Sequence, residues 1–253
     1  MTHDIQKAGL WKRIAAGILD GILLVILAVG IAVLMGALLG YDGYNTTLSE
    51  SYAYYEEQYG IDFQITGEEY NALSPQEREN YDTAYDALIH DQEAMKAYNM
   101  VLSLSLLITT GGILGACLLL EFVLPLIFGN GQTVGKKVFG LGVIRVDGVR
   151  ATSVQMFLRT VLGKFTIETM IPVYVVLMIF FNIIGLGGTL FLGALLVAQI
   201  LIMALNANNA LIHDLLAGTV VVDVASQMIF RSTQDLIDYK KKLNREQANR
   251  QNY

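Results

Sequence analysis

Cysteine is nearly absent from this chain of 253 residues: Cys117 is the only one, and it sits inside an apolar run. A lone thiol there excludes an intramolecular disulfide and any cysteine-based metal site. Histidine is also sparse, and His3, His90 and His213 lie too far apart in sequence to suggest a metal-ligand set. Charged residues make up only 16% of the chain against 54% hydrophobic residues, with a mean hydropathy of +0.48. That balance argues against a soluble globule and for a polytopic membrane protein. No aromatic–basic surface lies outside the apolar segments, so no nucleic-acid reading survives. No cofactor motif is present either. GQTVGKK (Gly131–Lys137) resembles a phosphate loop only superficially. The residue five before Gly135 is Asn130 rather than glycine, no Ser or Thr follows Lys136, and an apolar span precedes it instead of a strand.

What is present is sharply segregated. Residues 41–99 carry 13 acidic and 2 basic side chains, leaving 10 acidic and 15 basic ones elsewhere. Four apolar stretches reach the roughly 20 residues a bilayer crossing requires. The first runs from Ile14 to about Leu39 and the second from about Met100 to Phe128. Residues 166–205 divide at Gly185–Gly188 into a third and a fourth, or into one span and a re-entrant piece. Four crossings put both termini on one side together with the basic loop between spans two and three, which positive-inside reasoning makes cytoplasmic. The first apolar core exceeds that of a cleaved signal, so it is expected to remain as an anchor in a cell membrane.

The expected organisation is an all-α membrane protein, a four-span helical bundle with a small β element and an acidic helical insertion. Residues 1–40 hold the N-terminus and first span. Residues 41–99 form the extracytoplasmic insertion, with helix starts at Thr66/Glu69 and Ser74/Glu77 behind Pro75 and a last helix able to run unbroken into the second span (100–128). In residues 129–165, Val143–Val146 and Val149–Ala151 flank Asp147-Gly148 as a β-hairpin, a turn whose two central positions require positive φ. Val154, Phe157, Leu158, Val161, Leu162 and Phe165 follow at helical spacing and describe a basic amphipathic helix along the inner leaflet. Spans three and four occupy 166–206. Residues 207–253 supply a short helix, a β-prone run at Thr219–Val224 able to pair with the hairpin, and a charged tail.

Asp20 is the only ionisable residue from Ile14 to Gly40, and burying a carboxylate in a bilayer costs roughly 2.5–3.5 kcal/mol even on lenient scales. Arg13 lies seven residues earlier on the same helix face, about 10 Å away along the axis, so a group from another segment is expected between them. Glu121, near a kink at Pro125, together with Glu168 and Asp214, belongs to the same half of the membrane as Arg13 and Asp20. Gln199 and Asn206 are the deeper polar candidates. Lys136, Lys137, Arg159 and Lys164 read as basic anchors at the membrane surface. The outer half offers only Ser103, Ser105, Thr109, Thr110, Asn182 and Thr189. Small-residue pairs at Gly17/Gly21, Gly36/Gly40 and Gly111/Gly115 permit close helix approach. These charges form either an ion or ligand site or an internal ion-pair latch.

Arg13, Asp20, GQTVGKKVFGLGVIRVDG and LIHDLLAGTVVV together resemble the RDD family of bacterial membrane proteins, with Asp214 as the second aspartate of that pattern. The resemblance does not extend to the acidic insertion. It implies a multi-pass protein of the cell membrane with poorly defined function, transport of unidentified ligands or sodium–proton exchange among the suggestions. Two functions are therefore carried forward. One is a proton-coupled transporter of a small cation. The other is a non-transporting accessory or scaffold protein that self-associates or binds a protein partner through residues 41–99. A membrane enzyme ranks below both, for lack of a nucleophile–base set.

Overall fold

The computed structural model describes residues 5–180, 183–206 and 208–251; Asn182 falls outside them. Among the described residues, four helices are long and apolar enough to cross a membrane: α1 (Leu10–Leu39), α5 (Gln92–Phe128), α7, whose spanning part is Ser153–Ile179, and α8 (Gly185–Leu205). Between α1 and α5 lie α2 (Tyr41–Tyr59), α3 (Gly67–Ala72) and α4 (Pro75–His90). A short α6 (Val134–Val138) and strand β1 (Leu141–Arg145) precede α7. A short α9 (Ile212–Ala217), strand β2 (Thr219–Asp223) and α10 (Thr233–Gln251) follow α8. The chain is an all-α integral membrane protein with, among the described residues, one small two-stranded sheet. It divides into two units, one formed by Val29–Gly112 and the other by the remainder.

Within Val29–Gly112 the helices begin where local chemistry allows. Thr66 with Glu69 and Ser74 with Glu77 form reciprocal capping boxes, and Pro75 occupies the first turn of α4, where its missing N–H costs nothing. Aromatic edges hold α2 to α4: Phe63 packs against both Tyr52 and Tyr81, at 5.5 and 5.6 Å between centroids. The helix into the second span is not continuous. It breaks at Asp91, whose carboxylate accepts the N–H groups of Glu93 (2.8 Å) and Ala94 (3.2 Å) and so starts α5 eight residues before Met100. The glycine pairs have distinct uses. A Cβ on Gly111 would lie 2.7 Å from the Met35 side chain, so that glycine permits a close approach, whereas one on Gly17 or Gly21 would meet nothing.

In the other unit, α7 and α8 are separate helices, so the long apolar region forms two spans. α7 is itself longer than expected. It runs without interruption through Ser153–Leu158, a π-helical stretch Arg159–Met170, and Ile171–Phe180. The amphipathic segment 154–165 is thus continuous with the third spanning helix rather than a separate one. Its pattern is inverted relative to a soluble helix: Val154, Phe157 and Leu162 are exposed, as suits lipid contact, while Met156, Arg159, Thr160 and Gly163 are buried.

β1 and β2 pair antiparallel from Leu141↔Asp223 to Arg145↔Thr219. The Asp147-Gly148 hairpin is residual, a single bridge between Ile144 and Arg150. Only Gly148 takes positive φ (+91°), and its N–H donates to the Arg145 carbonyl. This is the three-residue loop with a glycine bulge, not the two-residue turn expected. One sheet face buries Leu141, Val143 and Val221 with Ala8, Ala16 and Met156, and the other buries Ile144, Val220 and Val222. Each such aliphatic side chain contributes roughly 1.5–3 kcal/mol on burial.

Because the Asp91 carboxylate alone satisfies two first-turn donors of α5, Asp91→Ala is expected to weaken that turn by about 1 kcal/mol. Hydrogen exchange of residues 92–95 should accelerate roughly fivefold while exchange in β1 and β2 stays unchanged.

Candidate functional site

Arg13 and Asp20 do not face a shared partner; each is held by a different short helix. Asp20, only 8% exposed, accepts the Gly135 N–H at 2.7 Å and the Thr133 hydroxyl at 2.5 Å. The cause is local. Thr133 caps α6, and the first-turn N–H groups of any helix lack internal partners, so a carboxylate from α1 can take one. Glycine at 135 permits the approach. A Cβ there would fall 2.9 Å from an Asp20 carboxylate oxygen and closer still to the Ala16 carbonyl. The loop that looked like a phosphate binder thus holds an anion belonging to the protein itself.

Lys136 turns inward from the same helix. Its ammonium donates to Thr133 Oγ1 (3.1 Å) and lies 3.5 Å from Asp20 and 3.9 Å from Glu121 Oε2. Glu121 Oε1 accepts from Lys164. The Glu121 backbone is also engaged. Pro125 has no N–H to offer the carbonyl four residues before it, and the hydroxyl of Thr160 donates to that carbonyl at 2.9 Å. The expected kink there takes the form of a π-helical turn, Leu118–Val123.

The second group centres on Asp214, which is fully buried. Arg159 Nε donates to its Oδ1 at 3.0 Å, and Arg13 Nη2 lies 3.6 Å from its Oδ2. Arg13 also donates to the Asn209 carbonyl at 2.6 Å. His213, beside Asp214, is drawn in fully. The Arg159 guanidinium donates to Nε2 at 2.9 Å, and a guanidinium cannot accept, so Nε2 bears the lone pair and Nδ1 the proton. That Nδ1–H faces both oxygens of Glu168 at 2.8 Å. Gly163 makes the packing possible, since a Cβ there would come within 2.6 Å of the His213 Cα.

The π winding of α7 brings these side chains together. Arg159 and Glu168 are nine residues apart, about two and a half turns of an α-helix and hence on opposite faces. At roughly 4.4 residues per turn in a π-helix, nine residues close two turns and both point inward.

Four cations (Arg13, Lys136, Arg159, Lys164) therefore meet four carboxylates (Asp20, Glu121, Glu168, Asp214). All of them except Asp214 line one cavity of about 570 Å³, whose apolar wall includes Leu24, Val25 and Met203. Gln199 lines it too. Asn206 does not; its Oδ1 accepts the Asn208 N–H at 2.8 Å and shapes a turn. Three buried atoms in this region have no hydrogen-bond partner among the described residues: Glu121 Oε2, Arg159 Nη1 and Asp214 Oδ2.

Of the expected surface anchors, only Lys137 is exposed, over the Phe128 ring at 3.9 Å. Lys136 and Arg159 are 6% and 1% exposed and Lys164 is half-buried, because each finds a carboxylate inside. Thr133, Gly135, Thr160 and His213 were not among the sequence-level site residues. The GQTVGKK turn was the available signal for the first two.

Outside the spans the electrostatics follow the packing. Burial favours the neutral form of Asp214, but Arg159, His213 and Arg13 hold its carboxyl well below the usual range. Burial pulls the Lys136 ammonium down to about 8, with Glu121 opposing. Burial likewise lowers His213 below its ordinary value; Asp214 opposes this and the Arg159 charge adds to it.

These features define a multi-pass membrane protein whose buried charges neutralise one another. Residues 7–218 match the RDD family, and the chain belongs to it. A curated relative, the uncharacterized protein YckC of Bacillus subtilis (strain 168), is 28% identical over 104 residues, covering 41% of this chain. The matched part spans about half of that relative, 54% of its length. No solved structure matches.

Gly135→Ala is expected to push α6 off α1 at a cost of roughly 1–3 kcal/mol, read as a lower melting temperature in detergent. The lowered His213 value sets a pH dependence. Between its folded value and the ordinary 6.5 the unfolded chain binds more protons, so stability is full above 6.5 and falls as pH drops through and below it. Melting temperatures from pH 8 to 5 should fall more steeply for the native chain than for His213→Gln.

Proposed function

We propose that this protein is a multi-pass carrier of the cell membrane, with both termini cytoplasmic, that exchanges a small cation for protons at the buried charge network. The observation that carries this reading is a buried carboxylate oxygen on the cavity wall, Glu121 Oε2, that has no hydrogen-bond donor among the described residues. A buried acceptor left unmatched costs about 1–3 kcal/mol, and a proton or a small cation entering the cavity would relieve it. Protonation and cation binding would then compete for the same oxygen, which is the minimum requirement for coupling. The cytoplasmic assignment rests on the basic residues 136–164 and the tail lysines at 240–242 sharing one side under the positive-inside rule.

One observation favours a second reading. Four cations against four carboxylates leave the network with no net charge, as a latch in a non-transporting accessory protein would have. In that protein, the acidic residues 41–99 would bind a partner or a second copy.

Glu121→Gln separates the two, since it preserves shape and the Lys164 contact while removing the titrating group. In everted vesicles, cation-induced proton release is expected to drop at least tenfold with folded yield unchanged, the scale of one lost charged interaction. Exchange at the native rate would remove the carrier reading. A fall in melting temperature, with no exchange by the native chain either, supports the latch.

A further inference from the structure

A second cavity, of about 500 Å³, lies against the sheet and shares no lining residue with the charge network. Its wall contains Arg150, Arg231, Asn130 and Gln227 together with Val224, Ile229 and Phe230, and no acid. The backbone places the two arginines side by side. Val149 and Phe230 form a parallel bridge, with Phe230 N–H donating to Gly148 O at 3.1 Å and Arg150 N–H to Phe230 O at 2.9 Å. Arg150 and Arg231 each follow one residue of that bridge, and both line the cavity.

Two guanidinium groups set next to each other repel. Elsewhere in this unit buried cations meet carboxylates; Arg150 and Arg231 are exposed at the mouth of this cavity, and neither has an ion-pair partner among the described residues. Gly129, with φ +73°, is what lets Arg150 lie across the loop, because a Cβ there would collide with the guanidinium nitrogen. The buried Gln227 is already satisfied: it accepts the Gln6 N–H at 2.8 Å and donates to Met228 O at 2.8 Å. It serves as wall, and the arginines are the groups left for a ligand. Paired guanidinium forks match the oxygens of a phosphate group in charge and geometry. Asn130 lies two residues beyond the end of α5 at Phe128, a helix apolar enough to cross a membrane, so a lipid headgroup is one source of such a phosphate.

We propose that this cavity is a phosphate-binding site in which Arg150 and Arg231 clamp the phosphate of an anionic phospholipid headgroup or a free phosphate. The site is independent of the transport reading.

The test uses the full-length chain purified in detergent. Native mass spectrometry with phosphatidylglycerol and with phosphatidylcholine, and phenylglyoxal labelling of arginines read by peptide mass, report on the same residues. Retention of phosphatidylglycerol over phosphatidylcholine, lost about tenfold in the R150Q/R231Q double variant, supports a headgroup site. Protection of Arg150 and Arg231 from labelling by millimolar inorganic phosphate, without lipid selectivity, supports a site for the free ion. Labelling unchanged by phosphate and by phosphatidylglycerol overturns the proposal, as does a native preference for phosphatidylglycerol that the double variant keeps in full. The labelling is done on the native protein, so it decides the matter even if the double variant does not fold.

Discussion

An ion inside a membrane must carry its counter-charge with it, and in this protein that requirement organises the unit built on the start of α1. Asp20 can be tolerated in an apolar helix only because α6 presents an N–H, a hydroxyl and an ammonium to it. Arg13 can be tolerated because α9 presents Asp214 and the nearby Asn209 carbonyl. Those two short helices lead, each through a left-handed glycine (Gly140 and Gly218), directly into β1 and β2. Neutralising two charges on one membrane helix therefore also fixes the entrances of both strands. The sheet closes over them with Ala8 and Ala16 of the N-terminal segment in its core.

The same pairing explains why polar and apolar residues trade places on α7. In water, Arg159 and Lys164 would face out and Val154, Phe157 and Leu162 would face in. Against lipid the order reverses, and the basic face becomes the inside face as soon as acids are available there. Glu121 is such an acid, and Thr160 from the same helix completes its backbone. The buried arginine, lysine and histidine are thus parts of the packing of spans two and three as much as of any chemistry.

Much of this was legible in the chain itself. The four spans, the capping boxes at Thr66 and Ser74, the β-prone run at Thr219, and the gathering of Arg13, Asp20, Glu121, Glu168 and Asp214 in one region all follow from hydropathy, turn residues and charge position. What escaped has specific causes. Helical-wheel reasoning at 3.6 residues per turn places Glu168 opposite Arg159, and a π-helical stretch of 12 residues leaves no sequence signature that such reasoning uses. Assigning Lys136 and Arg159 to the surface applied a rule for loops to residues that have carboxylates within reach. Reading Asp147-Gly148 as a tight turn missed one residue of loop, because Asp-Gly serves both geometries.

The wide winding of α7 has an implication for how this chain tolerates change. Each residue in a helix sets the rotation of everything beyond it by about 100°. Losing one residue between 159 and 170 would let the stretch relax toward ordinary winding, turning the half that leads into Ile171–Phe180 onto a new azimuth while Arg159 stayed in place. Length, not only chemistry, is therefore under constraint in this segment. A substitution at a lipid-facing position there is mild, whereas an insertion or deletion would swing Glu168 away from His213 and expose the rest of the helix to the wrong neighbours.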